Sequence, residues 1–132
     1  KTGSVEIERT EKGVVLRLQE AVLFGRGSAT LSAEAIRILD KIAPSLLTVP
    51  NVIEVEGHTD TLPIRSSIFP SNWELSIGRA TAVIRHLVGV HRFPLDRLAA
   101  RGMADNRPLV PNDGARGNPR NRRVELHIQA PT

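Results

Sequence analysis

The chain has 132 residues, 40% of them hydrophobic, with one Trp, three Phe and no Cys. That length suits a single domain with an aliphatic core, and the absence of cysteine excludes disulfides, thiol catalysis and thiolate metal sites. The net charge of +4, carried mostly by arginine, is compatible with an anionic partner or simply with a solvated surface.

In chain order, VEIERTEKGVVLRL (5–18) reads as two short strands joined at Glu11-Lys12-Gly13, with Val14, Leu16 and Leu18 alternating inward. FGRGSATLS (24–32) is a glycine-containing connection. Ser32 then offers an N-cap, and Ala35, Ile38, Leu39, Ile42 and Leu46 recur at helical spacing, with Pro44 a point of kinking. NVIEVEG (51–57) is a strand with Ile53 and Val55 on one face and Glu54 and Glu56 on the other. The second helix opens at Pro70-Ser71, where Ser71 and Glu74 fit a capping box. Trp73, Ile77, Ala80, Ile84, Leu87 and Val88 form its apolar stripe, which leaves Arg79 off the core. A strand is expected around RLAARGM (97–103), a Pro/Asn/Gly-rich loop from Asp105 to Pro119, and a last strand in RRVELHI (122–128). The order predicts an α/β sandwich, with helices on one side of a mixed sheet of four or five strands. Residues 1–132 read as one domain, with 1–13 an N-terminal strand extension.

No run approaches the ~18 apolar residues of a membrane span, and no signal peptide opens the chain. The start at Lys1, directly into a strand pattern, reads as the edge of a longer protein. The four histidines, at 58, 86, 91 and 127, are scattered, so no metal site and no cofactor are expected. The glycines form neither a P-loop nor a dinucleotide fingerprint, and no nucleophile elbow is present, so no enzyme is expected. Stacking aromatics are nearly absent, which argues against nucleic acid as a partner.

Three clusters carry polar chemistry. Asp60 ends GHTD at the exit of a strand, where it can bind a ligand or cap a turn. Asn72, Ser76 and Arg79 share a helix face that can receive a carboxylate, or can lie in solvent with Arg79 paired to an acid. Arg120, Asn121, Arg122 and Arg123 enter the last strand, where they can protect an edge, pair with Glu54, Glu56 or Glu125, or contact phosphate.

Taken together, GHTD, NWELSIGRA, RGMAD and NPRNRRVEL in this order resemble the OmpA-like peptidoglycan-binding domain, from about Val14 to Ile128. The long loop LPIRSSIFPSNW is most similar to the MotB-type branch, the flagellar motor stator subunit, whereas GMAD is closer to TssL-like proteins of type VI secretion. The resemblance implies non-catalytic binding of peptidoglycan through the diaminopimelate of its stem peptide. Asp60 would take the ammonium and Arg79 the carboxylate. Thr59, Asn72 and Leu75 would line the pocket, and Arg123 or its neighbour Arg122 would add positive potential. His58 would support the loop. The resemblance further implies a periplasmic domain, a homodimer, a missing N-terminal transmembrane helix in the inner membrane and a MotA-type partner. Its alternatives are a secretion-system or other wall anchor, and an interaction module that has lost the ligand.

Overall fold

The structure, a computed structural model, describes residues 5–25, 27–64 and 68–130. Expectations for residues 1–4, for Arg26 and for residues 65–67 of the long loop lie outside the described residues. The elements are β1 (Val5–Thr10), β2 (Gly13–Gln19), α1 (Glu20–Leu23), α2 (Ala33–Leu47), β3 (Ile53–His58), α3 (Asn72–His91), β4 (Leu98–Gly102) and β5 (Arg123–Gln129). They build a five-stranded mixed sheet in the order β1-β2-β5-β3-β4, in which only β3 and β4 are parallel. The expected α/β sandwich is the observed architecture, and β1 is an edge strand of the same sheet.

Strand alternation decides the two faces. Leu16 and Leu18 of β2, Ile53 and Val55 of β3, and Val124 and Leu126 of β5 join Leu39, Ala43, Val83 and Leu87 of the helices in one buried cluster. Ser32 caps α2 as expected, its Oγ accepting from Ala35 N at 3.0 Å. The helix runs through Pro44 to Leu47. Ser71 caps α3, but its Oγ accepts from Trp73 N rather than from Glu74 N, and its hydroxyl donates to Glu74 Oε1. The expected stripe on α3 is displaced. Trp73 and Ile77 are exposed, and the buried face runs through Leu75, Ser76, Arg79, Ala80, Val83 and Leu87. The closest approach of the helix to the sheet is at Ser76 and the backbone of Ile77.

Two glycines permit that approach. Gly57 and Gly102 are register partners across β3 and β4. A Cβ on Gly57 would lie 2.0 Å from the Ser76 carbonyl oxygen, and one on Gly102 would lie 2.8 Å from Ile77 N. Ser76 completes the contact by accepting from Ala104 N at 3.1 Å, and Thr59 N donates to Ala104 O at 2.8 Å. The GHTD and RGMAD segments are thus fastened to each other and to the first turns of α3.

The opposite face of the sheet carries charge. Glu125 accepts from Arg17 and Arg123 through Oε2, at 3.0 and 2.7 Å, and from His127 Nε2 through Oε1, at 2.8 Å. Glu56 faces His58 at 3.1 Å and His127 at 3.2 Å. Hydrogen bonds to Glu125 and Glu56 raise His127 from its ordinary 6.5 to about 9, against the opposing effect of burial. Burial alone would raise Glu56, but its histidine partners outweigh that and lower it from 4.5 to about 2.

Two predictions follow from these contacts. Gly57→Ala forces β3 and α3 apart and should cost about 1–3 kcal/mol, the usual range for overpacking, in urea unfolding. His127 has a raised folded value, so its contribution is complete below pH 6.5 and lost as pH rises through about 9. Glu56 has a lowered one, so its contribution is present above pH 4.5 and lost as pH falls through about 2. The thermal midpoint should therefore decline between pH 6.5 and 9, and more shallowly in His127→Gln; equal slopes in the two proteins would contradict the assignment.

Candidate functional site

At the exit of β3, where α3 begins, Thr59, Asp60, Asn72, Leu75, Arg79 and Arg122 line one small pocket. Its interior of about 40 Å³ has room for roughly three or four water molecules. A recess of that size suits the end of a side chain.

The pocket is organised by an alternating chain of charges. Asp60, 2% exposed, accepts from Arg122 Nη1 through Oδ2 at 2.6 Å. Arg122 Nε donates to Glu20 Oε1 at 2.8 Å, and Glu20 Oε2 accepts from Arg79 Nη1 at 2.5 Å. Arg79, also 2% exposed, donates in addition to the carbonyls of Ser28 at 2.8 Å and Gly25 at 3.2 Å, and its guanidinium lies 4.8 Å from the centre of the Phe24 ring. Burial pulls Arg79 below its ordinary pKa; Glu20 opposes that, and the neighbouring charge of Arg122 adds to it. Arg122 goes the other way: burial would lower it, but its bonds to Glu20 and Asp60 raise it.

Backbone geometry aims each member. Asp60 follows β3 and its Oδ1 accepts from Leu62 N at 3.1 Å. Its Oδ2 also takes Asn118 N at 3.1 Å, which closes the Asp105–Pro119 loop onto the site. That loop can come so near because residue 117 is glycine, with φ +64°; a Cβ there would lie 2.4 Å from Asp60 Oδ2. Asn121, fully buried, holds the loop from behind, its side-chain oxygen accepting from Leu109 N at 2.7 Å and Val110 N at 3.0 Å. Asn72 Nδ2 donates to Leu62 O at 3.0 Å, while its buried Oδ1 has no hydrogen-bond partner among the described residues. Thr59 Oγ1 donates to Asp60 O at 2.9 Å.

Two expectations need correction. Arg123 is not in this pocket: as the first residue of β5 it points to the opposite face, where it binds Glu125 and the carbonyls of Asn121 and Arg107. The side chain of Arg122, one residue earlier, has the parity that reaches the helix side. Arg79 does not lie off the core, because the buried face of α3 passes through it. His58 faces Glu56 on the far side of the sheet, away from the pocket. The residue that sequence reasoning missed is Glu20. A lone Glu in QEAVLF carries no motif signal; the β2–β5 pairing places it against Arg122, and Glu20 N donates to Arg122 O at 2.9 Å.

A sandwich with an ion-lined pocket where β3 meets α3 defines a binding module of one known class: the OmpA family profile matches residues 23–122, and the chain belongs to that family. Among particular relatives, Uncharacterized protein YtxE of Bacillus subtilis is 46% identical over 122 residues, which are 92% of this chain and 50% of that protein. Motility protein B of the same organism is 32% identical over 125 residues, 94% of this chain and 48% of that one. The chain spans about half the length of these curated relatives. Of solved structures, the cell wall anchor of the type VI secretion system from Pseudomonas aeruginosa superposes with a TM-score of 0.89 at 34% identity, covering 98% of this chain and 90% of that one. The periplasmic domain of MotB gives 0.85 at 25% identity, covering 97% and 69%.

Removing Arg79 leaves Glu20 Oε2 and the carbonyls of Ser28 and Gly25 without their donor and empties a buried site, although Arg122 still pairs with Glu20 Oε1. Arg79→Ala should therefore destabilise the domain by about 3–5 kcal/mol, the range for breaking a buried ion pair from one side. Chemical denaturation measures it; unchanged stability would show that the guanidinium is dispensable to the fold.

Proposed function

We propose that the chain is a non-catalytic wall anchor whose pocket binds the zwitterionic side-chain end of diaminopimelate in the peptidoglycan stem peptide. The observation that carries this reading is the alternation of Asp60, Arg122, Glu20 and Arg79 in a recess sized for one amino-acid head group. An ammonium would sit against Asp60, with the unpartnered Asn72 Oδ1 as a second acceptor. A carboxylate would take the guanidinium side, at Arg79 or Arg122, in place of Glu20.

Binding on these terms is an exchange. The ligand's ammonium competes with Arg122 for Asp60, and its carboxylate competes with Glu20 for the arginines. Few new charge contacts are gained per ligand, so single-site affinity is weak and firm anchoring comes from several modules on a repeating polymer. A homodimer would supply that. The wider setting we propose is periplasmic, in a longer protein with an inner-membrane helix and a MotA-type partner. The type VI secretion anchor is supported by its TM-score of 0.89, and the stator reading by the 32% identity to Motility protein B. Both are served by the same wall-binding pocket.

The test is an amide NMR titration with a diaminopimelate stem peptide, using a lysine stem as control because it lacks the side-chain carboxylate. Shifts are expected at Thr59, Asp60, Asn72, Leu75, Arg79 and Arg122, with the lysine stem weaker. Asp60→Asn should lose more than about tenfold in affinity, about 1.4 kcal/mol, whereas Glu20→Gln, which frees the arginines, should bind the carboxylate more tightly. Equal response to both stems would remove the zwitterion from the argument. No shift at millimolar peptide would leave an interaction module with a protein partner.

A further inference from the structure

His86 and His91 are five residues apart near the end of α3, a spacing that does not by itself suggest a shared ligand. The end of the helix brings their rings together, with centroids 5.5 Å apart and planes at 67°. Across the interface, Asp40 of α2 projects a single oxygen, Oδ1, between them. His86 Nε2 lies 2.8 Å from it and His91 Nε2 2.7 Å. One donor atom from each residue falls within 4.8 Å of the others. The imidazoles are sunk, with side chains 9% and 16% exposed, while Asp40 is 45% exposed and leaves the cluster open to solvent on one side.

We propose that Asp40, His86 and His91 form a binding site for a borderline divalent cation, best matched by zinc, that clamps α2 to α3. Two imidazoles and one carboxylate are a donor set zinc accepts, with a fourth position free for water on the Asp40 side. Zinc bonds of about 2.0–2.2 Å need ligand atoms roughly 3.3–3.5 Å apart. The two His–Asp distances must therefore open by about 0.5–0.8 Å, as the ion enters between Asp40 and the imidazoles. The metal displaces the proton on each Nε2, which is released to solvent, and each ring keeps one on Nδ1. With no cysteine in the chain, no thiolate competes.

The charge surroundings favour this cluster over the other carboxylate–histidine group. Glu56, His58 and Glu125 also converge on the far face of the sheet. There Glu125 is already bound by Arg17 and Arg123, and Arg101 stands 3.7 Å from Glu56, so an entering cation would meet guanidinium groups. Among the described residues no Arg or Lys pairs with Asp40. The clamp would stiffen the same helix that carries Asn72, Leu75 and Arg79, since His86 lies about 10 Å along the axis from Arg79. It is independent of the wall-binding reading.

The probe is zinc chloride added to the 132-residue chain, with magnesium chloride as control, followed by calorimetry, thermal unfolding and imidazole nitrogen NMR. One zinc per chain is expected, with a raised thermal midpoint and ring shifts at His86 and His91 but not at His58 or His127. Asp40→Ala and His91→Gln, checked for an intact fold by circular dichroism, should each weaken zinc by more than about tenfold, the loss seen even for supporting residues at metal sites. Absence of zinc-dependent change at 1 mM, undiminished binding in both variants, or shifts confined to His58 and His127 would each overturn the proposal.

Discussion

A guanidinium that is 2% exposed can persist only if its charge and its donors are met, and Arg79 is the point from which much of this molecule is arranged. Glu20 answers the charge, and the carbonyls of Gly25 and Ser28 answer the remaining donors. That requirement ties the short α1 and the loop after it to the middle of α3. Glu20 can stand there because β2 pairs with β5, and the same pairing delivers Arg122. Arg122 in turn holds Asp60 at the far end of the chain of charges.

The cost of gathering so many ions near the core is reduced by alternation. Each carboxylate of the pocket touches at least one cation, and the two guanidiniums are joined through Glu20 rather than facing each other bare. Such an arrangement contributes less to stability than an apolar core of the same volume would, but it leaves charges of both signs at the pocket wall. A ligand that is itself a paired cation and anion can enter by exchanging partners. A singly charged ligand would leave one member of the chain unmatched. On the proposed reading, selectivity for a zwitterion would arise from the completeness of the internal pairing.

The helix stripe on α3 and the arginine pair show where sequence pattern misleads. Trp73 and Ile77 belong to the apolar period, yet both are exposed, and it is the backbone at Ser76 and Ile77 that Gly57 and Gly102 let down onto the sheet. Periodicity measures hydrophobicity and carries no information on how near a helix can come. Arg122 and Arg123 are adjacent and chemically alike, so composition cannot separate them; the phase of β5 does. The resemblance carried by GHTD, NWELSIGRA and RGMAD located Asp60 and Arg79, and the structure adds that both are buried.

The sequence by itself determined the kind of elements, their order, the aliphatic core and the segments that build the pocket, because periodicity, caps and glycine-bearing motifs are local. It left open which charges meet, since that depends on strand register and on the separation of helix and sheet. Glu20 and Arg79 are 59 residues apart, Arg122 and Asp60 are 62, and Asp40 and His91 are 51. No local pattern encodes a contact across such a span. Those pairings exist only once β2 lies beside β5 and α3 is seated on β3, and the chemistry of the pocket resides in them.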